Sequence, residues 1–498
     1  MKQGKVYLVG AGPSDEGLLT LRGKELLEQA DTVVYDALVG QGILSLIPQQ
    51  CTLRYVGKRA GKHSMRQEEI NRLLVEEALA GNTVVRLKGG DPFLFGRGGE
   101  EIEALMQHTI PFEVVPGVPS AISVPAYAGI PVTHRSVSSS LHVFTGHTKD
   151  GIAAFPYPAL VQLDGTLVFL MGVNALPEIC SGLLSAGMPP ETPASMIQSG
   201  TSAAQKKVLS TVSNLPKESA AAGLASPAVI VIGKVCALGF EWAEQRPLHG
   251  KRIAVTRPRV RSSSLTRALR EQGAEVIEFP CISTRILEPN PEFTAVSKRF
   301  SDYRWAVFTS PAGVECFFQQ LHRHALDVRC LAGLRLAAIG SATARALAER
   351  GLLADFVPEE YNAAALGRGL AAQVQPGEGV LLLRAAKGSP DLPKELSKAG
   401  IDFLDIPLYE TIYEAPQSAE LLHLLDAGAL DYVAFTSAST VHGFAQALGR
   451  ERFPGLTAVC IGPTTRQAAE EYGMQTITAA RAEICSMVEC IVEQERRS

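Results

Sequence analysis

What the chain lacks narrows the field first. Its nine cysteines contain no C-x-x-C pair, and an odd number scattered over 498 residues makes no disulfide framework. Most sit inside apolar stretches, which reads as reduced, buried thiols. No apolar run approaches the roughly 20 residues that a membrane-spanning helix needs. The opening Met1-Lys2-Gln3-Gly4-Lys5 runs into a short apolar segment that meets Pro13, Asp15 and Glu16. That reads as a first strand rather than a signal peptide. A charge excess is missing too: Lys and Arg number 47 against 51 Asp and Glu, a net charge of −4. Residues 1–248 hold 20 basic and 22 acidic groups and the remainder 27 and 29, so each half stands at −2. Neither half carries the electrostatic footprint of a nucleic-acid binder. Glycine (45) and proline (30) lie only slightly above ordinary usage, which excludes collagen-like and disordered chains. The expectation is a cytoplasmic protein with neither nucleic acid nor membrane as a partner.

At roughly 100–200 residues per domain, the length implies about three to five domains. Short apolar runs alternate with amphipathic stretches throughout. In the first half the strand candidates are Val6–Val9, Thr32–Tyr35, Thr83–Leu87, Phe112–Val115, Leu141–Thr145, Thr166–Met171, Ala194–Gln198 and Ala228–Ile232. Helices fit between them, for example Glu68–Ala80 with Ile70, Leu73, Leu74 and Ala78 along one face. This alternation predicts α/β architecture with sheets covered on both faces. The pattern breaks at EWAEQRPLHG (241–250), and a new strand begins at Lys251–Thr256. The expected division is therefore 1–245, a linker 246–250, and 251–498.

The second part repeats itself. Residues 252–280 match 380–407 in plan, WAVFTSPAGVECF (305–317) matches YVAFTSASTVHGF (432–444), and LAAIGSATARALAERG (336–351) matches AVCIGPTTRQAAEEYG (458–473). The offsets are 127, 127 and 122 residues. A repeat this long indicates two copies of one α/β lobe with a cleft between them, where ligands commonly bind.

Two glycine-bearing segments carry the chemistry of the first half. VGAGPSDEGLLT begins at Val9, at the end of a predicted strand. Gly10 and Gly12 open like a dinucleotide fingerprint, but Asp15 holds the third glycine position and Pro13 offers no N–H to a pyrophosphate. A nicotinamide enzyme is disfavoured, and a tight turn without a ligand is the plain alternative. VVRLKGGDPFLFGRGGEE (84–101) is more distinctive: a strand ends at Lys88 and opens into Gly89-Gly90-Asp91-Pro92, followed by Gly96, Gly98 and Gly99. Such a loop brings bare backbone close to a ligand. No Lys-Ser/Thr pair closes it as in a P-loop, while Asp91 suits ribose hydroxyls or an amine.

Over residues 5–240 these segments, with ADTVVYD, VGKRAGKH, QEEIN, GIPVTHR, LVFLMG and SGTS, resemble the uroporphyrinogen-III C-methyltransferases of the tetrapyrrole-methylase family. The resemblance implies two α/β lobes, S-adenosylmethionine in their cleft, a homodimer and no metal. It implies methyl transfer to C2 and C7 of uroporphyrinogen III, giving precorrin-2 on the way to sirohaem or cobalamin. By that resemblance Pro13, Gly89, Gly90, Asp91, Leu94, Met171 and Gly200 line the methyl-donor site. Pro119 and Ser120 occupy a further donor-contact segment, where they depart from the family's usual Thr-Ala or Ser-Ala. Ser14 replaces the usual glycine of the first loop. Asp36, closing DTVVYD, matches the family's candidate base and Lys58 its candidate proton donor. The plainer readings are that Asp36 caps a helix and Lys58 pairs with a substrate carboxylate.

The second half shows no nucleophile triad, metal-ligand spacing or phosphate loop. Its visible constellation is Arg257, Arg259, Arg261 and Arg267 after a strand, a basic loop suited to carboxylates. Thr309-Ser310, Thr436-Ser437, Gly340–Thr343 and Gly462–Thr465 add hydroxyls and helix-start N–H groups, good anion receivers. With IAVTRP, FTSPAGV, AAIGSATA, LYETIYE, FTSASTV and CIGPTT, residues 250–480 or so look like uroporphyrinogen-III synthase. That resemblance implies a two-lobed, internally duplicated α/β fold, with lobes of 251–284 plus 412–498 and of 285–411. It implies cyclisation of hydroxymethylbilane with loss of water. Tyr409 matches the tyrosine thought to assist hydroxyl departure, and Ser310 and Thr464 match cleft positions. Arg257 and Arg259 are the expected substrate-binding arginines. A methyltransferase fused to a non-catalytic tetrapyrrole sensor is the alternative.

Overall fold

The computed structural model describes residues 4–48, 50–57, 65–148, 151–257, 264–414, 419–449 and 453–497. The chain forms two compact units, Met1–Ala254 with Thr266–Glu278 and Glu495–Ser498, and Val255–Leu265 with Phe279–Gln494.

The first unit contains two five-stranded sheets. One is built from β1 (Lys5–Gly12), β2 (Thr32–Tyr35), β3 (Thr52–Tyr55), β4 (Thr83–Gly89) and β5 (Phe112–Val115), in the order β3-β2-β4-β1-β5. All its pairings are parallel. Its central strands read as near-continuous apolar runs because both faces are covered. Val9, Val33 and Val85 pack into one core layer, and Val6, Val34 and Val84 into the layer on the opposite face. The predicted helix is present as Gln67–Leu79, burying Ile70, Leu74, Val75 and Ala78, and the Glu69 carboxylate accepts from the Arg66 N–H at 2.8 Å to secure its start.

The other sheet takes β6 (Leu141–Thr145), then, after the small ribbon β7 (His147–Thr148) and β8 (Gly151–Ile152), β9 (Thr166–Leu170), β10 (Pro193–Gln198), β11 (Lys206–Thr211) and β12 (Ala228–Ile232). Its order is β11-β10-β12-β9-β6, with β6–β9 parallel and the remaining pairs antiparallel. All eight strands expected in this half exist. The sequence reading omitted the two-residue strands β7 and β8 and also β3 and β11, and the latter two are edge strands with alternating or partial exposure. An edge strand buries little, so its apolar signal is weak.

The C-terminal half contributes β13 (Arg252–Val255), β14 (Glu275–Glu278), β15 (Ile282–Ile286), β16 (Trp305–Phe308), β17 (Arg335–Ala338), β18 (Val380–Ala385), β19 (Phe403–Tyr413), β20 (Tyr432–Phe435), β21 (Thr457–Cys460) and β22 (Gln475–Thr478). They form sheets of order β15-β19-β18-β16-β17 and β14-β13-β20-β21-β22. The repeat is visible residue by residue. β16 leads to Ser310, which caps helix Pro311–Arg323, and β20 leads to Ser437, which caps Ala438–Leu448. β17 and β21 each lead to a glycine at the helix start, Gly340 and Gly462, with near-identical extended backbone. The α/β fold class expected for both halves is the one observed.

Six of the nine cysteines are buried, and Cys485 is exposed. Burial pushes the Cys180 thiol up to about 12, which keeps it protonated and inert. Among the described residues, no helix is long and apolar enough to cross a membrane.

Candidate active site

In the first unit, three strand ends meet backbone to backbone. β1 ends in Gly10 and Gly12, β4 ends at Gly89 and runs on to Gly90, and β5 runs on to Gly117. Gly12 N–H donates to Gly90 C=O at 3.1 Å, and Gly90 N–H returns a bond to Gly12 C=O at 2.7 Å. A Cβ on Gly10 would lie 2.4 Å from Gly117 N, and one on Gly117 would lie 2.2 Å from Gly90 O. Of the two glycines that opened like a dinucleotide fingerprint, Gly10 is therefore required by strand-end packing, and Gly12 by its φ of +74°. Asp15, which breaks that fingerprint, accepts from Gly17 N–H at 2.8 Å and from the Tyr127 hydroxyl at 2.7 Å.

These ends open into a cavity of about 850 Å³ lined from both sheets of the unit. The carboxyl edge of a parallel sheet is where ligands of α/β folds bind. Of the non-glycine residues with positive φ, five line the cavity: Ser14, Phe95, Arg97, Met171 and Ser199. Such conformations cost about 1–3 kcal/mol each and cluster where a site needs an imposed shape. Gly90, at φ +69°, also faces it, and a Cβ there would meet nothing closer than Ser120 N at 3.9 Å. Bare left-handed backbone thus forms part of the wall.

Pro13, Gly89, Gly90, Leu94, Ser120, Met171 and Gly200 all line this cavity. Asp91 and Pro119 are not among the lining residues; they brace it from behind. Asp91 Oδ1 accepts from Phe93 and Leu94 N–H at 2.8 and 3.1 Å, and Oδ2 from Gly117 N–H at 3.0 Å. Pro119 C=O accepts from the Ser123 hydroxyl at 2.8 Å, at the start of helix Ser120–Tyr127.

Asp36 follows β2 and lines the same cavity. It caps no helix: the next one, Gln41–Leu44, has Gly40 at its cap, while Asp36 Oδ1 accepts from Leu38 N–H at 3.1 Å. Its Oδ2 lies 3.5 Å from Arg86 Nη2. Arg86 and Lys88, both 4% exposed, converge on Glu101 Oε1 at 3.1 and 2.8 Å, and Glu101 is fully buried. Burial first, then the neighbouring Arg86 charge, holds Lys88 below the usual lysine range despite Glu101. Lys58 lies outside the described residues. Sequence reasoning passed over Arg86, Lys88, Arg97 and Ser199. The first three stand inside the distinctive 84–101 segment, where charges among apolar and glycine positions were a usable signal.

In the second unit, Tyr409 in β19 is 7% exposed and its hydroxyl is 2.7 Å from Ser310 Oγ, which also accepts from Gly313 N–H at 2.9 Å. Burial pushes the Tyr409 phenol above its ordinary pKa, so it remains a protonated donor. The structure therefore joins two separately singled-out residues, Tyr409 and Ser310, at one helix start. Thr464 is exposed in the first turn of Pro463–Glu471. Arg257 is half-buried, burial lowers its pKa from the ordinary value, and it has no acidic partner among the described residues. Arg259 and Arg261 lie outside the described residues, and Arg267 is exposed. One expectation is corrected: Thr343 and Thr465 are 2% and 4% exposed, so those hydroxyls face the core rather than a ligand. They fall on the inward side of their helices. Among the described residues, no group of three or more His, Cys, Asp or Glu is arranged to hold a metal.

Two family models match the chain: Tetrapyrrole (Corrin/Porphyrin) Methylases over residues 5–216, and Uroporphyrinogen-III synthase HemD over residues 263–489. The "Porphyrin biosynthesis protein HemD" of Ruminiclostridium josui is 44% identical over 496 residues, covering 99% of this chain and 98% of that protein. The "Uroporphyrinogen-III C-methyltransferase" of Bacillus subtilis (strain 168) is 42% identical over 358 residues, covering 71% of this chain and 73% of that protein. Among solved structures, a uroporphyrin-III C-methyltransferase from Thermus thermophilus complexed with S-adenyl homocysteine matches at 39% identity. It covers 47% of this chain and 98% of that one, with a TM-score of 0.40. With one relative spanning both halves, the chain belongs to the tetrapyrrole-biosynthesis enzymes in which a tetrapyrrole methylase is joined to a uroporphyrinogen-III synthase.

Proposed function

We propose that the chain closes a tetrapyrrole ring and then methylates it. Residues 251–498 cyclise hydroxymethylbilane to uroporphyrinogen III with loss of water. Residues 1–245, acting as a homodimer, methylate uroporphyrinogen III at C2 and C7 to give precorrin-2. The observation that carries the methylation reading is a cavity of about 850 Å³ that combines left-handed main chain with the Asp36 carboxylate.

S-adenosylmethionine supplies a methyl group on a sulfonium. The open cradle at Gly90 fits such a donor, with Gly89, Leu94, Ser120, Met171 and Gly200 as its other holders, Pro13 at the β1 loop, and Asp91 and Pro119 bracing the wall. Methyl transfer disperses positive charge, so a wall of neutral main chain and a thioether avoids favouring the ground state. Asp91 suits that role because three N–H groups already occupy its oxygens. The methylated ring must then lose a proton. Asp36 is the base in this reading, since among the described residues one of its oxygens faces only a cation at 3.5 Å and keeps room to accept. Lys58 is its proposed proton donor.

In the second unit, Tyr409 supports departure of the bilane hydroxyl as a proton donor, held by Ser310. Arg257 and Arg259, with Thr464, hold the substrate carboxylates. Much of this reaction is the holding of a flexible chain in a ring-closing geometry.

One assay tests both halves. Hydroxymethylbilane is supplied with and without S-adenosylmethionine, and the oxidised porphyrin isomers and any dimethylated product are identified. The expected result is isomer III without the donor and precorrin-2 with it. Isomer I alone at the spontaneous rate would remove the synthase reading and favour a sensor module. Isomer III persisting unmethylated would remove the methylation reading.

A further inference from the structure

Arg86 is a guanidinium buried in the core end of a parallel strand, where a charge is retained only if the surroundings answer it. Each side of it is fixed. Nε donates to Glu101 Oε1 at 3.1 Å, and Nη1 donates to Val34 C=O at 3.3 Å and Leu87 C=O at 3.0 Å. The remaining arm, Nη2, points to Asp36 Oδ2 at 3.5 Å. Glu101 cannot neutralise Arg86 alone, because the same Oε1 also accepts from Lys88 Nζ at 2.8 Å and from Gln67 Nε2 at 3.2 Å. Two cations thus share one buried carboxylate, and the surplus positive charge is answered at the cavity by Asp36. Arg86 cannot release its proton, so it stays charged beside Asp36 when Asp36 accepts one. The contact at 3.5 Å is long for a charge-assisted hydrogen bond, which leaves Asp36 Oδ2 able to accept another hydrogen.

We infer that Arg86 is the positioning residue of the methyl-transfer half: anchored by Glu101, it orients the Asp36 carboxylate toward the cavity without occupying it. This rests on the reading of Asp36 as the base. Arg86 lines the same cavity, and the role assigned to it is exerted through Asp36. The functional consequence is that its loss slows proton removal while leaving donor and macrocycle binding in place.

The test is a double-mutant cycle on the full chain, with kcat and KM for methylation of uroporphyrinogen III measured for Arg86→Met, Asp36→Asn and the double variant. Arg86→Lys, which keeps the charge but not the planar fork, accompanies them, and each variant's melting curve is recorded. Misplacing a reacting group by about 1 Å costs about 10²-fold in rate. Arg86→Met is therefore expected to lower kcat about 10²-fold with KM changed less than about threefold, and Arg86→Lys is expected to recover part of that loss. In the Asp36→Asn background the same Arg86→Met change is expected to cost less than about threefold, because residues acting as one unit are non-additive. An equal loss in both backgrounds, or a loss confined to KM, overturns the positioning role while the base assignment stands. Full turnover by Asp36→Asn instead overturns the base assignment itself. Should Arg86→Met melt early, Arg86→Lys in the two Asp36 backgrounds gives the same cycle.

Discussion

Part of the wall of the first unit's cavity is main chain, set by glycines that interlock three strand ends and by non-glycine residues held at positive φ. Asp36, Arg86 and Lys88 also line it, with the buried Glu101 carboxylate shared by the two cations behind. The second unit uses side-chain hydroxyls at helix starts, and uses them twice: Ser310 and Ser437 occupy the same place in two copies of one pattern. Its repeated arginines have diverged. Arg384 is locked by Asp405 through Nε–Oδ1 at 2.8 Å and Nη2–Oδ2 at 2.5 Å, whereas Arg257, 127 residues earlier, has no acidic partner among the described residues. A duplicated lobe can spend one copy of a residue on structure and leave the other for a ligand. A site made of main chain has no such spare, so single changes there should be costly.

The largest effect expected is at Asp36. Asp36→Asn should reduce methylation about 10²–10⁴-fold, measured as kcat, and leave cyclisation of hydroxymethylbilane unchanged. Equal loss of both activities would mean the two sites are not separable in the way described.

The arginine pair gives the sharpest contrast. Arg257→Gln should weaken substrate binding by about 1.5–3 kcal/mol, seen as a raised KM for cyclisation with little change in melting. Arg384→Gln should do the reverse, lowering melting temperature with KM held. If both behave alike, the divergence of the two copies carries no functional weight.

Gly10→Ala tests the main-chain wall. The new Cβ would stand 2.4 Å from Gly117 N and 2.7 Å from Gly90 O, both backbone atoms. A loss of about 1–3 kcal/mol of stability is expected, read by denaturant unfolding, with methylation impaired. The smallest effect belongs to Tyr409→Phe. Removing its bond to Ser310 should cost about 0.5–1.5 kcal/mol, visible as less than about tenfold slower cyclisation.

Much of this organisation was legible beforehand because burial writes itself into sequence. Strands covered on both faces, such as Thr83–Gly89 and Ala228–Ile232, stand out as apolar runs. Lys206–Thr211 escaped notice because an edge strand with polar positions looks like a loop. The glycine loops were legible as sites of close approach, although what Gly10 approaches is another strand end, while Gly12 is needed for its positive φ. Thr465 was misread because a hydroxyl after a helix start faces either ligand or core, and only the rotation of the helix decides which. The Arg86–Glu101 contact spans 15 residues and the Asp36–Arg86 contact a whole crossover, so no local pattern announces either.

By itself the sequence determined the α/β class, the internal duplication and the glycine segments, since these follow from hydrophobic period, repeat spacing and backbone freedom. Only the tertiary structure decided which charges share a carboxylate, that Asp91 braces the loop, and that Tyr409 meets Ser310. Those depend on distances between residues far apart in the chain, where a shift of about 1 Å separates a hydrogen bond from none.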